Sequence, residues 1–288
     1  MASDVTAKVL IIGCGDLGAA VAQQLVQSGF QTIGVRRNAF VIDGVLMIQA
    51  DVTQPATLEP LRAIQPEILV YCVAASAQTD VAYKAAYVDG LRDVLATQVK
   101  NTHLKYVFFV SSTRVYGQNT DTLIDESVLA IPADFGGERL LEAENLLQTL
   151  ACRATALRLS GIYGPGRLRM INLAQSPERW PSQNSWTNRI HRDDAAAFIV
   201  FLIQQVLAGD TPQPCYIVTD SQPVTQYEAL NWIAVKLGVA PQIIPVAEGG
   251  KRLSNQAMLA TGFQLQYPTY QAGYQALLLN DLIADAIS

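Results

Sequence analysis

The sequence predicts an α/β fold: a doubly wound parallel sheet followed by a small C-terminal lobe. Three observations carry this. An apolar run, Val9 to Ile12, enters Gly13-Cys14-Gly15-Asp16-Leu17-Gly18 and continues into an Ala/Leu/Val-rich periodic stretch that stops at Ser28-Gly29, the pattern of strand, tight turn and helix. Short apolar strand candidates then alternate with longer amphipathic stretches, as parallel sheets with helical crossovers do. Half of the 288 residues are hydrophobic and only 16% are charged, below the roughly 25% of ordinary soluble domains, so much of the chain must be buried.

Taken in order, strands are expected at 8–12, 31–35, 46–49, 68–73, 106–111, 155–159 and 215–219. Helical periodicity fills 80–99, 138–150 and 195–209, the last preceded by Asp193 and Asp194, residue types that accept backbone N–H bonds at a helix start. From about Gly164 the alternation loosens, with Pro165, Pro177, Pro181, Pro212, Pro214 and Pro223 punctuating short elements. The expected organisation is therefore a nucleotide-binding core over 1–165. Residues 166–288 supply the last sheet elements and a small substrate lobe, laid over the carboxyl ends of the strands where open α/β sheets bind ligands. The lobe is not expected to be an independent domain.

Composition excludes several classes. A net charge of −5 argues against a nucleic-acid partner. The four cysteines are far apart with no C-x-x-C pair, the usage of reduced thiols in a cytoplasmic protein. Two histidines and no cysteine cluster argue against a metal. No G-x-S-x-G or phosphate-loop motif is present. The most apolar helix is too short to span a bilayer, and the first strand begins too early to leave room for a signal peptide. A cytoplasmic monomer or homodimer acting on a small molecule is expected, with neither membrane nor nucleic acid as partner.

The glycine stretch carries the chemistry. Gly13 permits the sharp turn, Gly15 lets the backbone approach a pyrophosphate, and Gly18 lets helix and strand pack closely. The first helical turn, with Asp16 and Leu17, then presents N–H groups to an anion. An acidic residue some twenty positions on would take the ribose 2′-hydroxyl of NAD, but the second strand ends Gly34-Val35-Arg36-Arg37. Two guanidiniums there suit a 2′-phosphate, so NADP(H) is expected to be preferred, with NAD(H) possible. Asp51 and Val52, after the third strand, are candidates for the adenine edge.

With Ala74-Ala75, Asp89-Gly90, SSTRVYG at 111–117, YGPGR at 163–167, IHRDDAAAF at 190–198 and GFQLQYP near the end, the chain resembles the extended short-chain dehydrogenase/reductases. More narrowly it resembles the NAD-dependent epimerase/dehydratase family and its atypical YeeZ-like branch. The resemblance implies a Rossmann fold, a nicotinamide cofactor and sugar-nucleotide or related hydroxy/oxo substrates. It places Gly13, Gly15 and Gly18 at the pyrophosphate, Asp51 and Val52 at adenine, and Ala74 and Ala75 beside the nicotinamide ribose. It makes Ser112 the hydroxyl expected to bond the reacting oxygen.

At the catalytic core the chain departs from that family. Where Tyr-x-x-x-Lys is expected stand Phe135-Gly136-Gly137-Glu138-Arg139, and no tyrosine lies between Tyr116 and Tyr163 nor lysine between Lys105 and Lys236. A phenyl ring has no proton to exchange, and a guanidinium cannot join a proton relay. Catalysis then falls to Ser112, Tyr116 or a substrate group, with Arg139 bonding the nicotinamide ribose or pairing with Glu138. Ser112, Tyr116, Arg167, Arg189 and His191 are the expected substrate contacts, the arginines with Arg169 forming an anion clamp. Only residues 168–189 separate YGPGR from IHRDD, so the cleft should be shallow or open and the substrate small. The expected function is an NAD(P)-dependent epimerase/dehydratase-like oxidoreductase acting on a small sugar-like or hydroxy/oxo compound. The alternative is a non-catalytic NAD(P)-binding sensor.

Overall fold

The computed structural model describes residues 7–120 and 122–287. All seven expected strands form, as Lys8–Ile12, Gln31–Arg36, Val45–Gln49, Ile68–Tyr71, Tyr106–Ser112, Arg153–Leu159 and Cys215–Val218. They join one sheet, ordered 215–218, 153–159, 106–112, 68–71, 8–12, 31–36 and 45–49. Strand 8–12 runs parallel to 31–36 and to 68–71, and 31–36 and 68–71 run parallel to 45–49 and 106–112. Winding therefore reverses between 8–12 and 68–71, which makes the carboxyl ends of these two strands the topological switch point. Val9 to Ile12 and Ile68 to Tyr71 have no exposed surface, the burial on both faces that turns parallel strands into unbroken apolar runs.

The helices differ from expectation in ways the side chains explain. The 80–99 stretch is Asp80–Tyr83, a π-helical segment Lys84–Asp89 and Gly90–Thr97. The helix expected from 138 is Phe135–Leu147, because Asp134 caps it by accepting the Gly137 N–H at 3.0 Å. The next long helix is Arg192–Ala208. Asp194 does not cap it: its carboxylate accepts the distant backbone N–H groups of Gln266 and Tyr267 at 2.8 and 2.9 Å. Asp193 pairs instead with the Arg192 guanidinium at 2.8 Å.

The chain divides into two compact units. The first is Met1–Gly117, Ala130–Arg158 and Ala196–Tyr216; the second is Gln118–Leu129, Leu159–Ala195 and Ile217–Ser288. A single boundary at 165 does not describe this division, because the chain passes between the units repeatedly. The second unit has its own core, in which Tyr163, Ile171, Trp180, Leu230, Ile233 and Tyr274 are buried together. Its helix Gln226–Lys236 opens with a reciprocal capping box between Thr225 and Glu228. Among the described residues no helix is long and apolar enough to cross a membrane.

Candidate functional site

The glycine turn is tied to the end of the second strand. Gly13 and Cys14 both donate their N–H groups to the Val35 carbonyl, at 2.9 and 2.8 Å, which sets the turn beside Arg36. Gly13 has φ +95°, and a Cβ there would sit 2.4 Å from the Cys72 carbonyl oxygen; at Gly18 a Cβ would meet the Gly13 carbonyl at 2.3 Å. Both glycines are thus demanded by the protein's own packing. Gly15 is different, for a Cβ there would meet nothing within 4 Å. It lies at the N-cap of the helix Asp16–Gln27 with no capping side chain. Leu17 is buried and Asp16 exposed. Cys14 is a core thiol whose burial pushes its pKa up to about 12, which leaves it unreactive at neutral pH.

Around this turn the remaining cofactor candidates are dispersed over three strand ends. The Arg36 guanidinium lies 4.5 Å from the centre of the Phe40 ring, a stacked arrangement that leaves its edge for an anion, and Arg37 is exposed. The Asp51 carboxylate accepts the backbone N–H and hydroxyl of Thr53 at 2.9 and 2.8 Å, and Val52 is buried. Ala74 is exposed and Ala75 half-buried, the Ala75 backbone being hydrogen-bonded to the Tyr87 hydroxyl.

The position of the missing tyrosine is filled by a packed group. The Phe135 ring meets Tyr83 edge-on at 5.4 Å. The Arg114 guanidinium lies 5.2 Å from the Phe135 ring centre and 5.1 Å from that of Tyr83. Arg114 donates to the Asp134 carboxylate at 2.9 Å, to Gln78 Oε1 at 3.0 Å and to the Tyr83 hydroxyl at 2.8 Å. The Tyr83 hydroxyl in turn donates to Gln78 Oε1 at 2.9 Å. Ser112 is half-buried; its Oγ accepts the Arg114 N–H at 3.2 Å and, among the described residues, donates to none. A serine proton without a protein acceptor is thus available to a ligand. Arg139 is committed elsewhere than expected: it bonds both carboxylate oxygens of Asp80, at 2.7 and 3.1 Å, and Glu142 at 2.7 Å. Glu138 is not its partner. The Arg139 hydrogen bond holds the Asp80 carboxyl below its ordinary range.

Tyr116 stands apart from this group. It has no exposed surface, and its hydroxyl accepts from Arg158. Arg158 also forks onto Glu144, Nη2 to Oε2 at 2.6 Å, and Ser111 donates to Glu144 Oε1 at 2.6 Å. Arg158 and Glu144 are 9% and 8% exposed, so this is a buried structural network and assigns Tyr116 to the core rather than to substrate.

The second unit holds a cavity of about 1150 Å³ lined by Arg167 and Arg189 among others. Arg167 is exposed and Arg189 buried. His191 is not among the lining residues. It is 2% exposed, its Nδ1 accepts the Asp193 N–H at 3.2 Å, and its ring packs against Tyr163 and Tyr267 at 5.3 and 4.1 Å. Burial disfavours the protonated imidazole, and the ring is held by packing within the second unit.

Tyr83, Gln78, Asp80, Arg114 and Asp134 were not among the sequence-derived candidates. One signal for them was present: two glycines at a helix start, Gly136-Gly137. A Cβ at Gly136 would meet the Arg114 Cζ at 2.4 Å, and one at Gly137 the Arg114 carbonyl at 2.5 Å. Glycines inside a helical pattern mark a close approach, and here that neighbour is Arg114.

Comparison with known proteins gives concordant results. The model of the NAD dependent epimerase/dehydratase family matches residues 9–217. A putative NAD-dependent epimerase/dehydratase from Methylobacillus flagellatus is 49% identical, covering 95% of this chain and 98% of its own, with a TM-score of 0.87. The enzyme WbmG of Bordetella bronchiseptica, solved with NAD, is 16% identical over 98% of this chain and 96% of its own, TM-score 0.80. The dTDP-glucose 4,6-dehydratase of Bacillus anthracis, also with NAD, is 17% identical over 94% of each chain, TM-score 0.76. The last two likenesses are of fold. No curated protein matches the chain.

Proposed function

The chain belongs to the NAD-dependent epimerase/dehydratase family, and on that premise we propose that it is a dinucleotide-dependent oxidoreductase of a small sugar-like or hydroxy/oxo substrate, working without the tyrosine and lysine pair. NADP(H) is its preferred cofactor, with NAD(H) also accepted. One observation carries the cofactor reading: Gly15 alone of the three turn glycines has no protein atom near its Cβ position, so the reason for glycine there lies with a ligand. The free helix N-terminus that follows suits a pyrophosphate, and Arg36 and Arg37 suit a 2′-phosphate. Asp51 and Val52 would border adenine, and Ala74 and Ala75 the nicotinamide ribose.

The nicotinamide ring, when bound, supplies a hydride acceptor or donor. The chain's own contribution is the Ser112 hydroxyl, which donates to no described residue and is the group we assign to the reacting oxygen. Arg139 belongs to the site as a positioning residue that braces Phe135–Leu147 against Asp80. A second reading, a non-catalytic dinucleotide sensor, is favoured by the same ion pair, since Arg139 has been drawn away from any ribose. Calorimetric titration with NADPH and NADH, followed by NADPH consumption with a panel of small carbonyl compounds, separates the two. Binding with turnover supports the enzyme; tight binding with no turnover over the panel supports the sensor; no binding of either nucleotide overturns both.

A further inference from the structure

We propose that Tyr83 is the proton donor of this site, brought in from a different helix than the missing tyrosine, with Arg114 as the cation beside it and Gln78 Oε1 lying where a substrate oxygen binds. Resting on the oxidoreductase reading above, this gives that chemistry the acid it lacks.

The group lies within the first compact unit, at the carboxyl ends of two adjacent parallel strands. Gln78 is on the segment that leaves strand 68–71, and Ser112 and Arg114 stand at the end of strand 106–112, the place where open α/β sheets bind ligands. The Tyr83 and Phe135 ring centres are 5.4 Å apart, so a phenol stands beside the ring that lacks one. The cation is present too. Arg114 Nη1 donates to the Tyr83 hydroxyl at 2.8 Å, and its guanidinium sits in a notch that glycine leaves, since a Cβ at Gly136 would lie 2.4 Å from the Arg114 Cζ. Arg139 completes the exchange. Its two-pronged bond to Asp80 ties the helix bearing Phe135 to the short helix Asp80–Tyr83, and so holds Tyr83 against Phe135. The two departures from Tyr-x-x-x-Lys thereby serve one arrangement: Phe135 removes a competing hydroxyl, and Arg139 fixes the residue that replaces it.

Gln78 shows what the pair holds. Its Oε1 accepts from the Tyr83 hydroxyl at 2.9 Å and from Arg114 Nη1 at 3.0 Å; arginine only donates, so the atom they share is the amide oxygen. A carbonyl oxygen gripped by a phenol and a guanidinium has the surroundings that carbonyl reduction needs, a proton at hand and a positive charge facing the oxygen. Gln78 is exposed while Tyr83 is 6% exposed, so a substrate oxygen can displace the amide with the phenol staying in place. When the substrate carbon receives a hydride from the reduced dinucleotide, the C=O π pair moves onto oxygen, the Tyr83 O–H bond breaks and that proton forms the alcohol O–H. The phenolate then faces the Arg114 charge until water reprotonates it. The guanidinium itself gives up no proton.

The test uses the full chain and Tyr83→Phe, which keeps the ring between Phe135 and Arg114 and removes only the hydroxyl. Single-turnover oxidation of bound NADPH by glyceraldehyde, methylglyoxal or benzaldehyde should fall about a hundredfold or more in Tyr83→Phe, with NADPH affinity by calorimetry as in the unaltered chain. A second readout needs no turnover. With tyrosine isotope-labelled at Cζ, the NMR resonance that Tyr83→Phe removes should move when one of these carbonyl compounds is added, and in Gln78→Ala it should move at a lower concentration because the competing amide is gone. Turnover in Tyr83→Phe within about threefold of the unaltered chain would overturn the proposal, as would a Tyr83 resonance that none of the three compounds moves in the unaltered chain or in Gln78→Ala. Failure of the unaltered chain to bind NADPH, or to oxidise it with any of the three, would fall on the oxidoreductase reading. The resonance then decides the site alone: movement supports a carbonyl-binding phenol, and a fixed resonance overturns it.

Discussion

Arg139 grips Asp80 with two parallel hydrogen bonds, Nε and Nη2 to the two carboxylate oxygens at 2.7 and 3.1 Å. The residue standing where a catalytic lysine is expected is thereby turned into a brace between two helices. Solvent screens such a pair, so Asp80→Asn should leave the melting temperature within about 2 °C of the unaltered chain. If Arg139 merely braces, cofactor affinity should change little as well. A large gain in NADPH affinity on weakening the Asp80 bond, with Glu142 still held by Arg139, would instead show that the guanidinium is waiting for the ribose.

Cofactor preference rests on Arg36 and Arg37. A charge-assisted hydrogen bond contributes about 1.5–3 kcal/mol, so NADPH should bind roughly tenfold or more tightly than NADH, and Arg36→Ala should erase most of the difference. Equal affinities in the unaltered chain, measured by calorimetry, would refute this.

The buried Arg158–Glu144 pair gives a stability prediction. Removing one partner of a buried ion pair strands the other charge, so Glu144→Ala should cost about 3–5 kcal/mol in denaturant unfolding. Tyr116→Phe removes the hydrogen bond from Arg158 and should cost about 1 kcal/mol, with NADPH binding and turnover unchanged. Loss of turnover in Tyr116→Phe without loss of stability would return that residue to the catalytic list.

Sequence reading reached the sheet more fully than the site, for physical reasons. Parallel strands buried on both faces are written as continuous apolar runs, so 8–12 and 106–112 are visible without partners. A glycine turn is legible because its φ and close approaches exclude side chains. Ion pairs are not written locally: Asp80 and Arg139 are 59 positions apart, and Asp194 lies 72 positions before Gln266. Arg114 was hidden inside a motif read for its serine. Periodicity alone shows this helix only from 138, because Gly136 and Gly137 carry no apolar side chain; the Asp134 cap is what starts it at Phe135.

Asp220 makes the fold sensitive to pH. Burial pushes its carboxyl up from 3.8 to about 7, so the folded chain holds that proton more tightly than the unfolded one. The stability contributed by the neutral form is complete below about 3.8, is lost as pH rises to about 7, and is level above. Asp220→Asn keeps a neutral group, so its melting temperature should rise relative to the unaltered chain between pH 5 and pH 8. A difference between the two chains that does not vary with pH would contradict the assignment.

The central claim is that Phe135 and Arg139 are adapted parts of a different site and not a decayed tyrosine and lysine pair. Rapid-mixing measurement of single-turnover oxidation of bound NADPH by small carbonyl compounds, in the unaltered chain and in Phe135→Tyr/Arg139→Lys, tests it directly. The account predicts no gain or a loss, because Phe135 is packed against Tyr83 and Arg114 and because the lysine forfeits the two-pronged bond to Asp80. A gain of a hundredfold, about 2.7 kcal/mol of barrier, would show that the cleft is still shaped for the missing pair.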